Sequence, residues 1–294
     1  MLETSLEFLR CVRCESELQL DVFKFGKEID EGILECSTCG LTFPIIEKIP
    51  IMWDDFSKYL SSRQILGGRL YCSSESQKMR NFLKSSLSKI TSTHEDRTLL
   101  EERWSKIYQN SRKGSIFYST VKKFLDSINK PKFVVEYGCS IGIMTSYLAN
   151  RHKMVFGVDR SFDALRFAKN TSKTNLDYIA ADLLSPIFGN LQFDLILALN
   201  ILELVEPLDL LQHVSKQISS GYFVISDPYD FDRGPKSVSI SLNEIELRTN
   251  LRNLNFKISS ETKKPSYIPW KLKLNSRATL NYKVDLIMCK KSSN

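Results

Sequence analysis

The chain has 294 residues, 42% of them hydrophobic and 26% charged, a soluble globular balance with room for one large domain and an appendage or for two domains. Its longest apolar runs, such as residues 193–202, are broken by Asp194 and Asn200 and fall short of the ~20 residues of a membrane span. Acidic residues also stand where an export signal is basic, so a cytoplasmic chain with no membrane partner is expected.

The net charge of +7 is unevenly spread. Residues 1–53 hold 5 Lys/Arg against 10 Asp/Glu, and residues 54–132 hold 16 against 8. Residues 133–232 hold 7 against 12, and residues 233–294 hold 13 against 4. The cationic surface therefore belongs to the middle and the tail.

Near the N-terminus, Cys11-Val-Arg-Cys14 and Cys36-Ser-Thr-Cys39 are separated by 21 residues. Two residues between paired cysteines let both thiolates of a tight turn face one ion, and two such turns complete a tetrahedral site. Between them, Leu18, Leu20, Val22 and Phe23 lie in an alternating segment with Gly26 and Gly32 as turn points, which predicts strands and a hairpin. Structural Zn2+ held by Cys11, Cys14, Cys36 and Cys39 is the expectation, and four thiolates leave no open catalytic position. The alternative is a dithiol redox pair; two matched pairs in a chain without an export signal favour metal.

After the second cysteine pair the chain runs Gly40-Leu-Thr-Phe-Pro-Ile-Ile-Glu-Lys-Ile-Pro50-Ile-Met52. With the cysteines, this ending resembles the small zinc-binding activator protein of tRNA, rRNA and release-factor methyltransferases. A shorter resemblance runs to rRNA guanine methyltransferases with a fused N-terminal zinc module. A zinc ribbon over residues 1–53 is implied. Its acidic balance disfavours contact with phosphates, so a structural element, or a docking site for a partner protein, is expected rather than an RNA reader.

Residues 54–114 read as a helical connecting region or lid. Met79, Phe82, Leu83, Leu87 and Ile90 fall at helical spacing, as do Leu99, Leu100, Trp104 and Ile107. A third set, Phe117, Val121, Leu125 and Ile128, opens the following domain. Ser73 or Ser74, Thr93 and Ser115 are the expected caps, Gly114 breaks the chain, and Gly67-Gly68 reads as a hinge or turn. Trp104, Tyr108, Phe117 and Tyr118 are either substrate-facing or, more simply, rings that pack the helices down.

From residue 115 the pattern alternates strand and helix. Phe133–Val135 is an apolar strand followed by Glu136, a turn with Gly138 and Gly142, and a helix through Met144, Tyr147 and Leu148. Strand, glycine turn, helix is how a nucleotide-like ligand is admitted close to the backbone. Seventeen residues after Gly142, a second strand ends in Asp159, where a carboxylate can accept both hydroxyls of a ribose. Further strands are expected at 176–180, 193–199, 222–226, 255–259 and 282–289, with helices at 207–218 and 242–254 and a break at Gly234-Pro235. The expected class is α/β: a Rossmann-like, doubly wound seven-stranded sheet over residues 115–294, preceded by the helical region and the small β zinc ribbon.

These landmarks resemble class I S-adenosylmethionine-dependent methyltransferases in order. Glu136-x-Gly138-x-Ser140-x-Gly142 stands where that family has acid-x-Gly-x-Gly-x-Gly, with Ser140 as the departure. The resemblance implies that Glu136, Gly138, Ser140 and Gly142 meet the methionine part of S-adenosylmethionine. It implies that Asp159, with Arg160, holds the ribose, that Asp182 and Leu183 meet the adenine, and that Asn200 lies at the cofactor's edge.

Gly138-Cys-Ser-Ile-Gly142 also satisfies the nucleophile elbow of α/β-hydrolases. That reading needs a downstream acid and then a histidine. His213, the only histidine after Asp159, sits in an expected helix where edge packing is its simplest role.

Methyl transfer is an in-line displacement that chiefly requires positioning, so no single catalytic side chain is obligatory. Asn200, Asp227 and Tyr229, at the carboxyl ends of strands, are the candidate catalytic residues, with Glu203 beside them. Leu199-Asn-Ile-Leu-Glu203, Pro228-Tyr229 and Ile268-Pro-Trp270 with Arg277 resemble segments of histidine-derivative N-methyltransferases and, for the first, protein-histidine methyltransferases. That implies a nitrogen acceptor on a small molecule or a protein residue. The tail from 261 to 280, with Lys263, Lys264, Lys271, Lys273, Arg277, Tyr267 and Trp270, mixes basic and aromatic residues. It reads either as an RNA-binding stretch or as solvated surface, and RNA is a possible partner that is not favoured. A non-catalytic scaffold that binds a partner through the ribbon is the remaining alternative.

Overall fold

The computed structural model describes residues 1–91, 96–128, 131–171, 173–232 and 238–291. The expected cap at Thr93 and the break at Gly234-Pro235 lie outside the described residues. The chain forms two compact units, one of Met1–Lys106, Ser140–Gly142 and Val158–Gly189, the other of Ile107–Cys139, Ile143–Gly157 and Asn190–Asn294.

The N-terminal strands are β1 (Leu18–Phe25), β2 (Ile29–Cys36), β3 (Thr42–Ile46) and β4 (Ile49–Met52). Helices α1 (Phe56–Ser61), α2 (Gln64–Ser73), α3 (Gln77–Leu87), α4 (Arg97–Ser111) and α5 (Ile116–Asp126) follow. Then come β5 (Phe133–Tyr137), α6 (Ile143–Leu148), β6 (Met154–Asp159), α7 (Phe162–Ala168) and β7 (Leu176–Ala181). The chain continues through β8 (Leu195–Leu199), α8 (Pro207–Gln217), β9 (Gly221–Asp227) and α9 (Glu244–Asn253). It closes with β10 (Phe256–Ile258), β11 (Ile268–Lys273) and β12 (Thr279–Lys291).

In the first unit, β1 to β4 form an antiparallel meander, with Leu34 opposite Phe43 and Ile46 opposite Ile49. Glu47 and Lys48, both at positive φ (50° and 70°), make the tight β3–β4 turn whose twist suits a two-residue hairpin. β4 leaves the meander and pairs in parallel with β7, Ile51 opposite Ala180 and Met52 opposite Ala181. The ribbon thus ends as an extra strand on a parallel neighbour. Its Ile-Pro-Ile-Met sequence is buried throughout, as a parallel strand covered on both faces requires. Beneath this junction Lys169 bonds Glu28 of the hairpin and Asp177 of β7, the latter at 2.8 Å, with all three side chains buried.

Gly67-Gly68, expected as a turn, lies inside α2. A Cβ at Gly67 would sit 2.7 Å from Leu87 Cδ2, so the glycine is there for the close approach of α3, not for a bend. The cap of α3 is Ser76, whose side chain accepts from Met79 N, whereas Ser74 closes α2.

In the second unit the strand order is β5-β8-β9-β12-β10, with β11 on β12. β5, β8 and β9 are parallel, and β12 runs antiparallel to its neighbours. Val134, Val135, Ile196, Leu197, Val224 and Ile225 are fully buried, the near-continuous apolar runs of strands covered on both faces. Ser115 caps α5 as expected, and Asn243 with Glu246 forms a capping box on α9. The strand β11 falls inside the stretch 261–280, where no strand is expected from the sequence, because its alternation of Trp270 and Leu272 with lysines reads first as charge. No helix among the described residues is long and apolar enough to cross a membrane.

Candidate functional site

The four ribbon cysteines converge. Their sulfurs all lie within 4.8 Å of one another, with Cys11–Cys39 at 3.5 Å and Cys14–Cys36 at 3.4 Å. Zn–S bonds of ~2.3 Å at tetrahedral angles set sulfur separations of roughly 3.8 Å, so the cluster fits that ion. The two knuckles share one conformation: Glu15 N bonds Cys11 O and Gly40 N bonds Cys36 O, both at positive φ (57° and 70°). No disulfide joins these thiols.

The glycine turn contributes to both units. In the first, Ser140 N donates to Asp159 Oδ2 at 2.7 Å and Ser161 N donates to Asp159 Oδ1 at 2.8 Å. Each carboxylate oxygen keeps lone pairs for a further donor. Burial raises the Asp159 pKa, opposed by the backbone N–H groups of Ser161 and Ser140. Ser140 itself is at φ 47°, the left-handed region that glycine occupies without strain. At Gly142, φ 70°, a Cβ would meet Tyr178 Oη at 2.3 Å, so only glycine fits.

Tyr59 Oη donates to Arg160 O at 3.1 Å, which anchors α1 to the residue after Asp159. Arg63 stacks over the Tyr59 ring and makes a bidentate ion pair with Glu101. Asp182 is exposed at the end of β7, with Oδ1 accepting from Leu184 N at 3.0 Å, and Leu183 follows it.

In the second unit, Glu136 is buried at the end of β5 and accepts a hydrogen bond from Thr145 Oγ1 on α6. Gly138 is also left-handed, and a Cβ there would meet Ile201 Cγ2 at 2.6 Å. Tyr118 of α5 lies by Tyr108 and Glu136, and burial first, then those neighbours, raise its pKa so that the phenol keeps its proton.

The candidate catalytic residues Asn200, Asp227 and Tyr229 come together at the carboxyl ends of β8 and β9. Asn200, at φ 57°, accepts from Ser226 Oγ at 2.9 Å. Asp227 is fully buried and accepts from Leu202 N at 3.0 Å and Tyr229 N at 2.7 Å. Its pKa lies well above the usual carboxylate range because it is buried and because Glu203 stands against it. Repulsion between two adjacent carboxylates favours the protonated form of Asp227. Tyr229, also left-handed at φ 56°, turns its hydroxyl away to Asp285 at 2.9 Å, and Asp285 is paired with buried Arg248 at 2.6 Å. The Tyr229 phenol is therefore a positioned ring and not a free base.

Sequence reading picks out Glu203 but not its pairing with Asp227, since the two lie on different strand ends. Thr145 carries no sequence signal of its own, and Tyr118 shows in the sequence only as one of four aromatic residues, with Trp104, Tyr108 and Phe117, ahead of β5. His213 Nε2 lies 3.3 Å from Tyr137 Oη with the rings edge to face, the packing role, and this leaves the hydrolase reading without support.

The model of the methyltransferase-domain family matches residues 134–220, and that of the Trm112p-like protein family matches residues 3–47. No curated protein matches the chain in sequence. Among solved structures, similar chains include magnesium protoporphyrin IX methyltransferase from Synechocystis PCC 6803, with 14% identity over 67% of this chain and 95% of that one, TM-score 0.49. A TehB-like SAM-dependent methyltransferase from Corynebacterium glutamicum has 15% identity over 66% and 99%, TM-score 0.49. The N-methyltransferase NodS from Bradyrhizobium japonicum WM9 has 17% identity over 60% and 97%, TM-score 0.47. The chain thus carries a methyltransferase domain over residues 134–220 and, before it, a Trm112p-like segment whose four cysteines converge as a zinc ribbon requires.

Proposed function

We propose that the chain moves the methyl group of S-adenosylmethionine to a nitrogen nucleophile. Glu136 and the backbone from Gly138 through Ser140 to Gly142 receive the methionine part, Asp159 with Arg160 the ribose, and Asp182 with Leu183 the adenine. Asn200 faces the cofactor's edge. The observation that carries the reading is the tether of Asp159: two backbone N–H groups fix a half-buried carboxylate at a strand end while leaving acceptor capacity for a pair of hydroxyls.

The sulfonium carbon is already activated, so the chain's own part is to aim the acceptor and take its proton. The pair Glu203 and Asp227 can hold that proton, Asn200 can orient the acceptor, and the Tyr229 ring can shape its path. The carrier of the nitrogen is a small molecule or a protein residue on the strength of the segments at 199–203 and 228–229. A second reading, transfer to RNA, draws on the basic and aromatic residues between 261 and 280. The ribbon serves as a structural edge for the first unit through β4, and a partner protein would meet it elsewhere than on β4.

Calorimetric titration of the zinc-loaded chain with S-adenosylmethionine tests the proposal. Stoichiometric binding that is weakened by Asp159→Asn is expected, and a folded sample that takes up no cofactor would sink it.

A further inference from the structure

β12 is longer than the strand it completes. Its register with β9 ends where Asp285 stands opposite Asp227, the last residue of β9. Residues 279–284 therefore run on past the carboxyl end of β9, paired with β11 instead: Pro269 with Lys283, Lys271 with Asn281, and Lys273 with Thr279. The hairpin rises from the end of the sheet that carries Asn200, Asp227 and Tyr229, the end where ligands sit in such sheets.

Successive side chains of a strand face opposite ways, and this hairpin sorts its residues accordingly. Trp270 and Leu272 are buried and Tyr282 is half-buried. Trp270 stacks on Tyr108 with ring centroids 6.1 Å apart and packs on Phe117 at 5.6 Å. Lys273 N also bonds Ser111 Oγ at 2.9 Å, so the hairpin is fastened to α4 and α5. The opposite face is exposed and carries Lys271, Lys273 and Lys283, with Arg277 in the turn. The turn is itself ordered by Arg277 N bonding Asn275 Oδ1 at 2.8 Å.

Among the described residues none of these four cations is in an ion pair with a carboxylate. Lys271 and Lys273 are two residues apart along one strand, about 7 Å. Lys283 lies diagonal to Lys271 across the pair, again about 7–8 Å. This is a single row of cations at the spacing of successive phosphates in an extended strand, too narrow to meet both backbones of a duplex. Tyr267, the residue before β11, is 68% exposed and offers a face on which a base can stack.

We propose that the outward face of the β11–β12 hairpin is a binding track for single-stranded RNA, which it holds beside the carboxyl ends of β8 and β9. The lysines and Arg277 take the phosphates, Tyr267 takes a base, and the buried Trp270 side holds the track rigid. This inference goes beyond the cofactor reading and does not depend on it.

The test is fluorescence anisotropy of the full chain with a labelled single-stranded 15-mer RNA of mixed sequence, across a salt series. Four phosphate contacts on a single strand predict a slope of log K against log salt of about −2.8. Lys271→Glu/Lys273→Glu should weaken binding more than tenfold at low salt and make the slope shallower by about 1.4 or more, whereas Lys271→Arg/Lys273→Arg should bind like the wild type. Circular-dichroism melts of the same samples should be unchanged, which separates loss of the track from loss of the fold, whether or not the samples bind S-adenosylmethionine. A folded chain that does not bind the strand at low salt would overturn the proposal. So would equal binding of duplex RNA or polyglutamate, or a charge-reversed variant that binds as tightly as the wild type.

Discussion

The backbone N–H of Ser140 donates to Oδ2 of Asp159 at 2.7 Å, so the middle of the glycine turn is tied to the acid that ends β6. The bond requires Ser140 to hold φ 47° where glycine is the usual occupant. Ser140→Gly is expected to keep stability within about 1 kcal/mol of the wild type or above it, because relief of the left-handed backbone offsets the added freedom of the unfolded chain. Ser140→Val is expected to lose about 2 kcal/mol, since a β-branched side chain is strained at positive φ. Denaturant unfolding of the three proteins measures both. Asp159→Asn should weaken cofactor binding by about 10–100-fold by removing a charged acceptor.

The second prediction concerns Gly142. A Cβ there falls 2.3 Å from Tyr178 Oη and 2.9 Å from Ala168 Cβ, in a backbone at φ 70°. Gly142→Ala should destabilise the chain by about 3 kcal/mol, from overpacking and backbone strain together. Tyr178→Phe removes the nearest atom, so Gly142→Ala/Tyr178→Phe should recover part of the loss relative to the sum of the single changes. Strict additivity in thermal melts would show that the clash is not what excludes alanine.

A third expectation is a pH dependence set by Asp227. Its carboxyl is raised by burial and by Glu203, so the folded chain holds a proton there more tightly than the unfolded chain does. Stability from this group is full below the ordinary carboxylate range of about 4 and declines as pH rises through the raised folded value. Among the described residues, Tyr229, Asp285 and Arg248 also stand at this corner, and the last two neutralise each other. Glu203→Gln removes one of the two causes, so the decline, which still begins near the ordinary carboxylate value, should end at lower pH and be smaller. The variant's melting temperature should rise relative to the wild type as pH increases from 5 to 8; a constant difference would argue against that repulsion. Any methylation rate that depends on loss of this proton should reach its plateau at lower pH in the variant.

The fourth is metal content. The four sulfurs fit one tetrahedral ion, so the purified chain should carry about one zinc per molecule by elemental analysis. Cys36→Ser or a strong chelator should release it and unfold the β1–β4 meander, read as loss of amide protection in β2 and β3. Because β4 pairs with β7 through Ile51 and Met52, protection at Ala180 and Ala181 should fall as well. Retained protection there would show that β4 holds its place without the metal.

Much of this was legible in the chain's own order of residues. Two Cys-x-x-Cys pairs specify a metal site because ligand spacing is local chemistry. The apolar runs ending in Glu136, Asp159 and Asn200 specify buried strands with acids or amides at their ends, because period and punctuation are local too. The Pro207 start of α8 and the Asn243–Glu246 capping box of α9 belong to the same class. Even Ser140 is visible as a departure at a glycine position. Only the tertiary structure decided which distant residues meet. That Gly67 is a packing contact with Leu87, that β4 becomes a neighbour of β7, and that Glu203 stands against Asp227 while Tyr229 is spent on Asp285 are long-range facts. The basic tail is the plainest case: its lysines read as one run in sequence, yet strand alternation buries Trp270 and Leu272 and gathers Lys271, Lys273 and Lys283 on one exposed face. Residue types and spacings fix the local geometry, but pairing register is set by which apolar face can be buried, and that depends on the rest of the fold.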